Sequence, residues 1–130
     1  MSLPKYCLDT HPLIWYFTGQ KTLSVKSRKI INGIFSQKST CFLSSIVLLE
    51  AFHVGLKNKK FVFPKFIQQL RLSNIIIVPL DKVILKTCYQ LPKQLDIHDR
   101  IITATALVNK TALITKDKEI RKISSIKTIW

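Results

Sequence analysis

The sequence predicts an α/β protein, a three-layer sandwich in which helices cover both faces of a central, mostly parallel β-sheet. Two observations predict it: short β-rich runs alternate with longer helical ones, and the predicted strands are almost continuously apolar. Strands of that kind are typical of parallel sheets that are buried on both faces. At 130 residues the chain is long enough for one core and too short for two, so we expect a single domain over residues 1–130.

The first third of the chain predicts one strand and two helices. The run "KYCLD" (5–9) reads as a strand that ends at the turn-forming Asp9. A helix follows in "HPLIWYF" (11–17), because proline is tolerated in the first turn of a helix, and Gly19 ends it. The run "SVKSRKIINGIFSQ" (24–37) predicts a second helix with its isoleucines on one face.

The middle of the chain repeats the strand-then-helix pattern. The run "TCFLS" (40–44) predicts a second strand, and Ser44 or Ser45 is a natural N-cap for the helix "SIVLLEAFHVGLK" (45–57). Another helix is predicted from Pro64 to about Leu72. The body of the chain from residue 56 to residue 78 carries no recognisable functional signature.

The last part of the chain completes the alternation. The β-branched run "NIIIVPL" (74–80) predicts a buried strand closed by Pro79, and Asp81 is well placed to cap the helix "KVILKTCYQL" (82–91). The remaining predicted elements are a helix in "LDIHDRIITATAL" (95–107) and strands in "TALIT" (111–115) and "KTIW" (127–130).

The charge balance predicts a polyanionic partner. Lys and Arg total 21 against seven acidic residues, which gives a net charge of +14. Such a field favours nucleic acid, an anionic membrane surface or an acidic protein, and charge alone leaves these open. No apolar run approaches the roughly 18 residues of a membrane helix, and the first residues lack a signal-peptide pattern. We therefore expect a soluble, cytoplasmic protein that does not act on membranes.

The three cysteines predict neither a disulfide framework nor a zinc site. Cys7, Cys41 and Cys88 form no CxxC pair and have no His or Cys neighbours at ligand spacing. Cys7 and Cys41 lie in predicted strands, so we expect both to be buried free thiols.

The scarce acids fall where the predicted sheet and its helices end. Asp9 and Asp117 follow strands, and Asp96 and Asp99 precede a helix at the same edge of the sheet. Aspartate is a favoured N-cap, so each of these can be explained locally, and capping is the preferred interpretation for Asp81. In parallel sheets, however, ligands bind beyond the carboxyl ends of the strands.

Glu50 does not fit the capping explanation. It lies beyond the first turn of its helix, on a largely apolar face, with no Lys or Arg three or four positions away. Burying an unpaired carboxylate there would cost several kcal/mol. A divalent cation such as Mg²⁺ or Mn²⁺, which prefers oxygen ligands, would compensate Glu50 and the strand-end acids together.

Four stretches, in this order and spacing, resemble the signature segments of PIN-domain ribonucleases, in particular the VapC toxins of toxin–antitoxin pairs. They are "CLDTHPLIWYF", "SSIVLLEAF", "LDIHDRIITATAL" and "ALITKD", and the resemblance extends from Tyr6 to about Ile120. It implies a PIN-like fold and a metal-dependent endoribonuclease that uses one or two Mg²⁺ or Mn²⁺ ions and cuts single-stranded or structured RNA.

The resemblance also implies roles for individual residues. The catalytic and metal-binding acids would be Asp9, Glu50, Asp99 and Asp117. Asp96 matches an auxiliary acid, a second-metal group or a cap, and Thr10 and Thr115 match small hydroxyl positions that orient ligands or water. Three further residues match the family variant that reads "DTHxxxW" and "DR". They are His11, for which substrate contact and packing both stay open, Trp15, expected in the core, and Arg100.

The resemblance further implies two protein partners, an antitoxin that inserts a segment into the cleft with an arginine reaching the acids, and a second copy of the chain. Three alternatives stay open. The first is an orphan or RNA-processing PIN nuclease, and the second is a non-catalytic nucleic-acid-binding domain. The third is a phosphatase or receiver-like protein, although "LDTHP" lacks the second aspartate that those folds place two residues after the first.

Overall fold

Five strands and seven helices alternate along residues 2–130, which are the residues that the computed structural model describes. The strands are β1 (Lys5–Leu8), β2 (Thr40–Ser44), β3 (Ile75–Val78), β4 (Ala112–Ile114) and β5 (Thr128–Ile129). The helices are α1 (Thr10–Thr18), α2 (Val25–Phe35), α3 (Ser45–Lys57), α4 (Phe63–Leu72), α5 (Lys82–Gln90), α6 (Ile97–Val108) and α7 (Lys118–Arg121).

The strands form one sheet in the order β3-β2-β1-β4-β5, and every pairing is parallel. The chain moves from β1 outward to β3 and then returns to β4 on the other side of β1. Right-handed crossovers therefore place α1 to α4 on one face and α5 to α7 on the other, which confirms the predicted three-layer α/β fold. The order reverses between β1 and β4, the place where doubly wound sheets form their binding crevice.

Helix α6 packs across the middle of the sheet and sets where its first turn lies. It contacts β1, β2 and β4, and Ala104 and Ala106 on it are fully buried. Small side chains at these positions let the helix approach the strands closely. The N-terminus of α6 is thus held over the crevice between β1 and β4.

Two parts of the predicted secondary structure differ from the structure. Strand β3 was expected to be buried, but it is one of the two edge strands of the sheet and leaves Ile76 and Ile77 about half exposed. A β-branched run fits a central and an edge strand equally well, so it does not report burial. The short helix α7 was not predicted, because four residues carry no helical periodicity. Within residues 2–130, no helix is long and apolar enough to cross a membrane.

The cysteines are free thiols packed in the core, as expected for Cys7 and Cys41. All three are buried and unpaired. Burial raises the pKa of Cys7 to about 12 and that of Cys41 well above its usual value. Neither thiol is ionised near neutral pH, so neither provides a nucleophile.

Candidate functional site

Asp9 is buried at the carboxyl end of β1, where it caps α1. One carboxylate oxygen, Oδ1, accepts a hydrogen bond from the Thr10 backbone N–H at 2.7 Å, and Oδ2 accepts one from the Thr115 hydroxyl at 2.7 Å. Burial raises the pKa of Asp9 above its ordinary value, and these two hydrogen bonds counteract the increase. The carboxylate is therefore fixed in orientation by the first residue of α1 and by a residue that directly follows β4.

Glu50 lies on α3 and has two polar neighbours that the sequence did not indicate as its partners. The Thr10 hydroxyl donates to Glu50 Oε1 at 2.7 Å, and His98 Nδ1 lies 3.3 Å from Glu50 Oε2. The side chain is 28% exposed, so it is not the deeply buried, unpaired carboxylate that its helical neighbours suggest. Both partners are remote in sequence, and only the fold brings them to α3.

Asp96 and Asp99 occupy the start of α6 and differ in their surroundings. Asp96 is exposed and caps the helix by accepting a hydrogen bond from the Asp99 backbone N–H at 2.9 Å. The Asp99 carboxylate accepts no hydrogen bond from residues 2–130. Burial, followed by the negative charges of four other acids, raises the pKa of Asp99 to about 7; these acids are Asp9, Asp96, Asp117 and Glu50. Asp99 is thus the least satisfied carboxylate of the group.

Thr115 connects the acid after β4 to the acid after β1. It is fully buried, its hydroxyl donates to Asp9, and the same oxygen accepts from the Asp117 backbone N–H at 3.0 Å. Asp117 in turn caps α7 by accepting from the Ile120 N–H at 3.0 Å. One hydroxyl therefore sets the positions of two acids at the reversal point of the sheet.

Replacing Thr115 with Val is expected to disturb the acids without changing the shape of the core. The change removes the donor to Asp9 and the acceptor for Asp117, and losing a hydrogen bond that orients a ligand typically costs about 10- to 100-fold in metal affinity or activity. Mg²⁺ titration followed by thermal shift measures the loss. Thr115→Ser, which keeps the hydroxyl, is the matched control, and an equal loss in both variants would contradict the role given to this oxygen.

These acids share one cleft of about 420 Å³ at the crevice between β1 and β4. The residues that line it are Asp9, His11, Pro12, Trp15, Glu50, Asp96, His98, Asp99, Lys116 and Asp117. Five of the seven acids of the chain therefore face one another, with Lys116 as the only Lys or Arg that lines the cleft within residues 2–130. A larger cleft of about 790 Å³ beside α5 is mainly apolar, and no acid lines it.

Arg100 fixes the loop that carries the chain into the first turn of α6. Its guanidinium donates to four backbone carbonyls, at distances between 2.6 and 3.2 Å. They belong to Cys88, Leu91, Pro92 and Leu95. Planar, five-donor geometry makes arginine suited to such a set, so the "DR" pair combines a cleft acid with the anchor of its own loop.

Arg100→Lys is expected to lower the free energy of unfolding by about 1–2 kcal/mol, because a lysine ammonium cannot reach all four carbonyls and hydrogen bonds to charged groups are among the stronger ones. Urea denaturation measures the change. Arg71→Lys is the matched control, since Arg71 is exposed and its side chain makes no hydrogen bond within residues 2–130. Equal stability of the two variants would show that the anchor contributes nothing.

The donor chemistry of the cleft fits a hard divalent cation, although the side chains do not surround one as they stand. Among residues 2–130, no three His, Cys, Asp or Glu side chains are arranged so that they could hold a metal ion. The acids nonetheless offer only oxygen, which Mg²⁺ and Mn²⁺ prefer, and no group in residues 2–130 donates a hydrogen bond to the Asp99 carboxylate. Direct coordination by three of these side chains at once would require them to move, and the ligand roles of Asp9, Glu50, Asp99 and Asp117 stay predictions.

One wall of the cleft is aromatic. His11 is exposed and stacks on Trp15, with ring centroids 5.5 Å apart and an interplanar angle of 24°. Trp15 was expected in the core, but it is only partly buried, since it packs on the core while also lining the cleft. An apolar groove of about 450 Å³ adjoins this wall, and the two cavities share His11, Glu50 and His98.

The sequence matches the PIN domain family over residues 6–126. No curated protein matches it. PIN domains are nucleases and generally use divalent metal ions. The match covers nearly the whole chain, and it includes every residue that lines the acid cleft.

The fold is similar to that of chains in solved toxin–antitoxin complexes. A chain of VapBC2 from Rickettsia felis bound to a promoter DNA fragment superposes with a TM-score of 0.72 at 19% identity, covering 97% of this chain and 98% of that one. DNA-bound VapBC from Salmonella typhimurium gives 0.70 at 19% identity, covering 98% of both chains. A toxin–antitoxin complex from Klebsiella pneumoniae gives 0.69 at 20%, covering 96% of both.

These structures support the fold, and the match over residues 6–126 supplies the family. The chain belongs to the PIN-domain family.

Proposed function

We propose that the protein is a Mg²⁺- or Mn²⁺-dependent endoribonuclease that acts in the cytoplasm as the toxin of a toxin–antitoxin pair. The observation that carries the proposal is the convergence of Asp9, Glu50, Asp96, Asp99 and Asp117 on one cleft of a chain with net charge +14. Carboxylates that share one cleft repel one another, and a cation bound among them would offset that repulsion. The surrounding positive charge suits an RNA backbone.

Asp9, Glu50, Asp99 and Asp117 hold one or two cations in this proposal, with Asp96 as an auxiliary group. A divalent cation supplies Lewis-acid chemistry, because it lowers the pKa of a water nucleophile and offsets charge that develops on the phosphodiester. The Thr10 hydroxyl orients Glu50, and the Thr115 hydroxyl orients Asp9. Lys116 lines the same cleft and is placed to contact an RNA phosphate.

The test is cleavage of single-stranded RNA by the purified chain. We expect cleavage with Mg²⁺ or Mn²⁺, none after EDTA, and recovery when the cation is added back in excess. Asp9→Asn should be inactive under all three conditions and should keep the native circular dichroism spectrum. Undiminished cleavage by Asp9→Asn, or by the wild type in EDTA, would refute the assignment. RNA binding without any cation-dependent cleavage would favour a non-catalytic binding domain.

An antitoxin is the partner that we propose for the acid cleft and its adjoining groove. The similar structures from Rickettsia felis, Klebsiella pneumoniae and Salmonella typhimurium are toxin–antitoxin complexes by description. The apolar groove beside His11 suits the apolar side of a partner segment, and the carboxylates suit an arginine at its end. Growth arrest on expression, relieved by co-expression of a small neighbouring gene, supports a toxin, and its absence favours an orphan or RNA-processing nuclease.

A second copy of the chain is the partner that we propose for the apolar side of α5. Leu80, Leu85, Tyr89 and Ile97 are each more than half exposed and line the 790 Å³ cleft. Exposed apolar patches of this kind are typical of protein interfaces. Light scattering during size exclusion would report a homodimer or a monomer, and Tyr89→Lys should shift a dimer toward monomer.

A further inference from the structure

Three aromatic rings form a connected series that ends at the acid cleft. Trp130 contacts Trp15 edge-on, with centroids 5.9 Å apart and an interplanar angle of 73°. Trp15 then stacks on His11, one helical turn before it on α1. Within residues 2–130 no further ring stacks on His11. The series therefore begins at the core and ends in an exposed imidazole ring.

The position of His11 places its exposed ring beside the acids. His11 directly follows Thr10, whose hydroxyl holds Glu50, and His11 lines both the acid cleft and the adjoining groove. The groove itself is lined mainly by apolar groups, among them Phe52 and Leu49. A flat group bound against His11 would thus lie between apolar side chains on one side and the carboxylates on the other.

A nucleobase is the flat group that the charge of the protein favours. A chain with net charge +14 attracts a polyanion, and a strand whose phosphate reaches the carboxylates brings its bases to the wall of the same cleft. Single-stranded nucleic acid is commonly held by bases stacked on aromatic or imidazole rings. Because every base has a π-face, such a contact positions the strand without reading its sequence.

We propose that the exposed ring of His11 is a stacking platform for the nucleobase next to the phosphate that is cut. This inference rests on the proposed nuclease function and adds a substrate-positioning residue to it. The Trp15 ring holds the imidazole in place before the strand arrives, so little rotamer freedom is lost on binding.

The test measures whether the contribution of His11 to strand affinity requires bases in the strand. Fluorescein-labelled hexauridylate and the matching abasic ribose-phosphate strand are titrated by fluorescence anisotropy, in an Asp99→Asn background whose cleavage is expected to be about 10³-fold slower than that of the wild type. His11→Ala should weaken hexauridylate binding by about 5- to 10-fold, toward the lower end of base–aromatic stacking, and should leave binding of the abasic strand unchanged. His11→Phe, which keeps a flat ring, should restore binding to within about twofold.

Val25→Ala is the control, because Val25 is an exposed side chain at the start of α2 that lines neither the acid cleft nor its groove, nor the cleft proposed for a second copy. It should change binding of neither strand. Equal weakening of both strands by His11→Ala, or no weakening of either, would overturn the platform. If the wild type shows cation-dependent cleavage but His11→Ala does not selectively weaken hexauridylate binding, the platform is overturned and the nuclease function stands. If His11→Ala weakens only hexauridylate binding but the wild type cleaves no RNA, the stacking contact stands as a binding site and the nuclease function is overturned.

Discussion

Asp99→Asn is expected to reduce RNA cleavage on the order of 10³-fold, the scale of losing one electrostatic group from an active site. The same change is expected to raise the free energy of unfolding of the metal-free protein. Asp99 is the carboxylate that no group in residues 2–130 donates to and that four other acids repel, so a neutral amide of the same size relieves that repulsion. Activity and stability should therefore change in opposite directions.

Cleavage assays in Mg²⁺ and urea denaturation in EDTA measure the two effects. Asp81→Asn is the matched control, because Asp81 caps α5, lies outside the acid cleft, and asparagine caps helices about equally well. It should change neither quantity appreciably. A less stable Asp99→Asn protein in EDTA would mean that Asp99 has a stabilising partner in the fold, against the arrangement described above.

The stability of the metal-free protein is expected to fall as the pH rises from about 4 to about 7. An aspartate titrates near 3.9 in the unfolded chain, whereas Asp99 in the folded protein has a pKa of about 7. Between these values the folded state binds more protons than the unfolded state, so the free energy of unfolding decreases with increasing pH. Asp99 is partly exposed, and solvent screening reduces the effect to about 1–2 kcal/mol.

Mg²⁺ should reverse this trend, because cations and protons compete for the same oxygens. Mg²⁺ at about 100 times its dissociation constant adds about 2.7 kcal/mol at pH 8 and less at pH 5. Thermal unfolding at pH 5 and at pH 8, each in Mg²⁺ and in EDTA, gives the four stabilities to be compared. Asp99→Asn should lose most of the pH dependence. A wild type that is more stable in EDTA at pH 8 than at pH 5 would contradict the repulsion.

Local sequence signals were sufficient for most elements and insufficient where a property depends on distant neighbours. The capping roles of Ser44 and Asp81 depend on chain neighbours, and both were predicted. The exposure of β3 depends on its position at the edge of the sheet, and the run "NIIIVPL" carries no information about that position. The strand ends were predicted correctly, and the acids near them were therefore expected at one edge of the sheet. The carboxyl ends of all strands of a parallel sheet lie at that edge.

The parts of the site that were missed are contacts between remote segments. His98 approaches Glu50, and the Thr10 hydroxyl donates to the same side chain, yet nothing in the spacing of these residues links them. The signal available for His98 was its place immediately before Asp99, on a helix turn already expected to face the crevice. The four carbonyls held by Arg100 carry no sequence signal, since backbone groups are the same at every residue.

The exposed edge of β3 affects how the protein must be handled in solution. Within residues 2–130 no strand pairs with the outer edge of β3, and Ile76 and Ile77 on it are about half exposed, so this edge is the kind of surface on which chains add to one another and aggregate. Mutual repulsion between molecules of charge +14 opposes that addition. Salt shortens the reach of the repulsion from about 10 Å at 0.1 M to about 3 Å at 1 M. The concentrated salt commonly used to strip nucleic acid from basic proteins would therefore promote precipitation of this one.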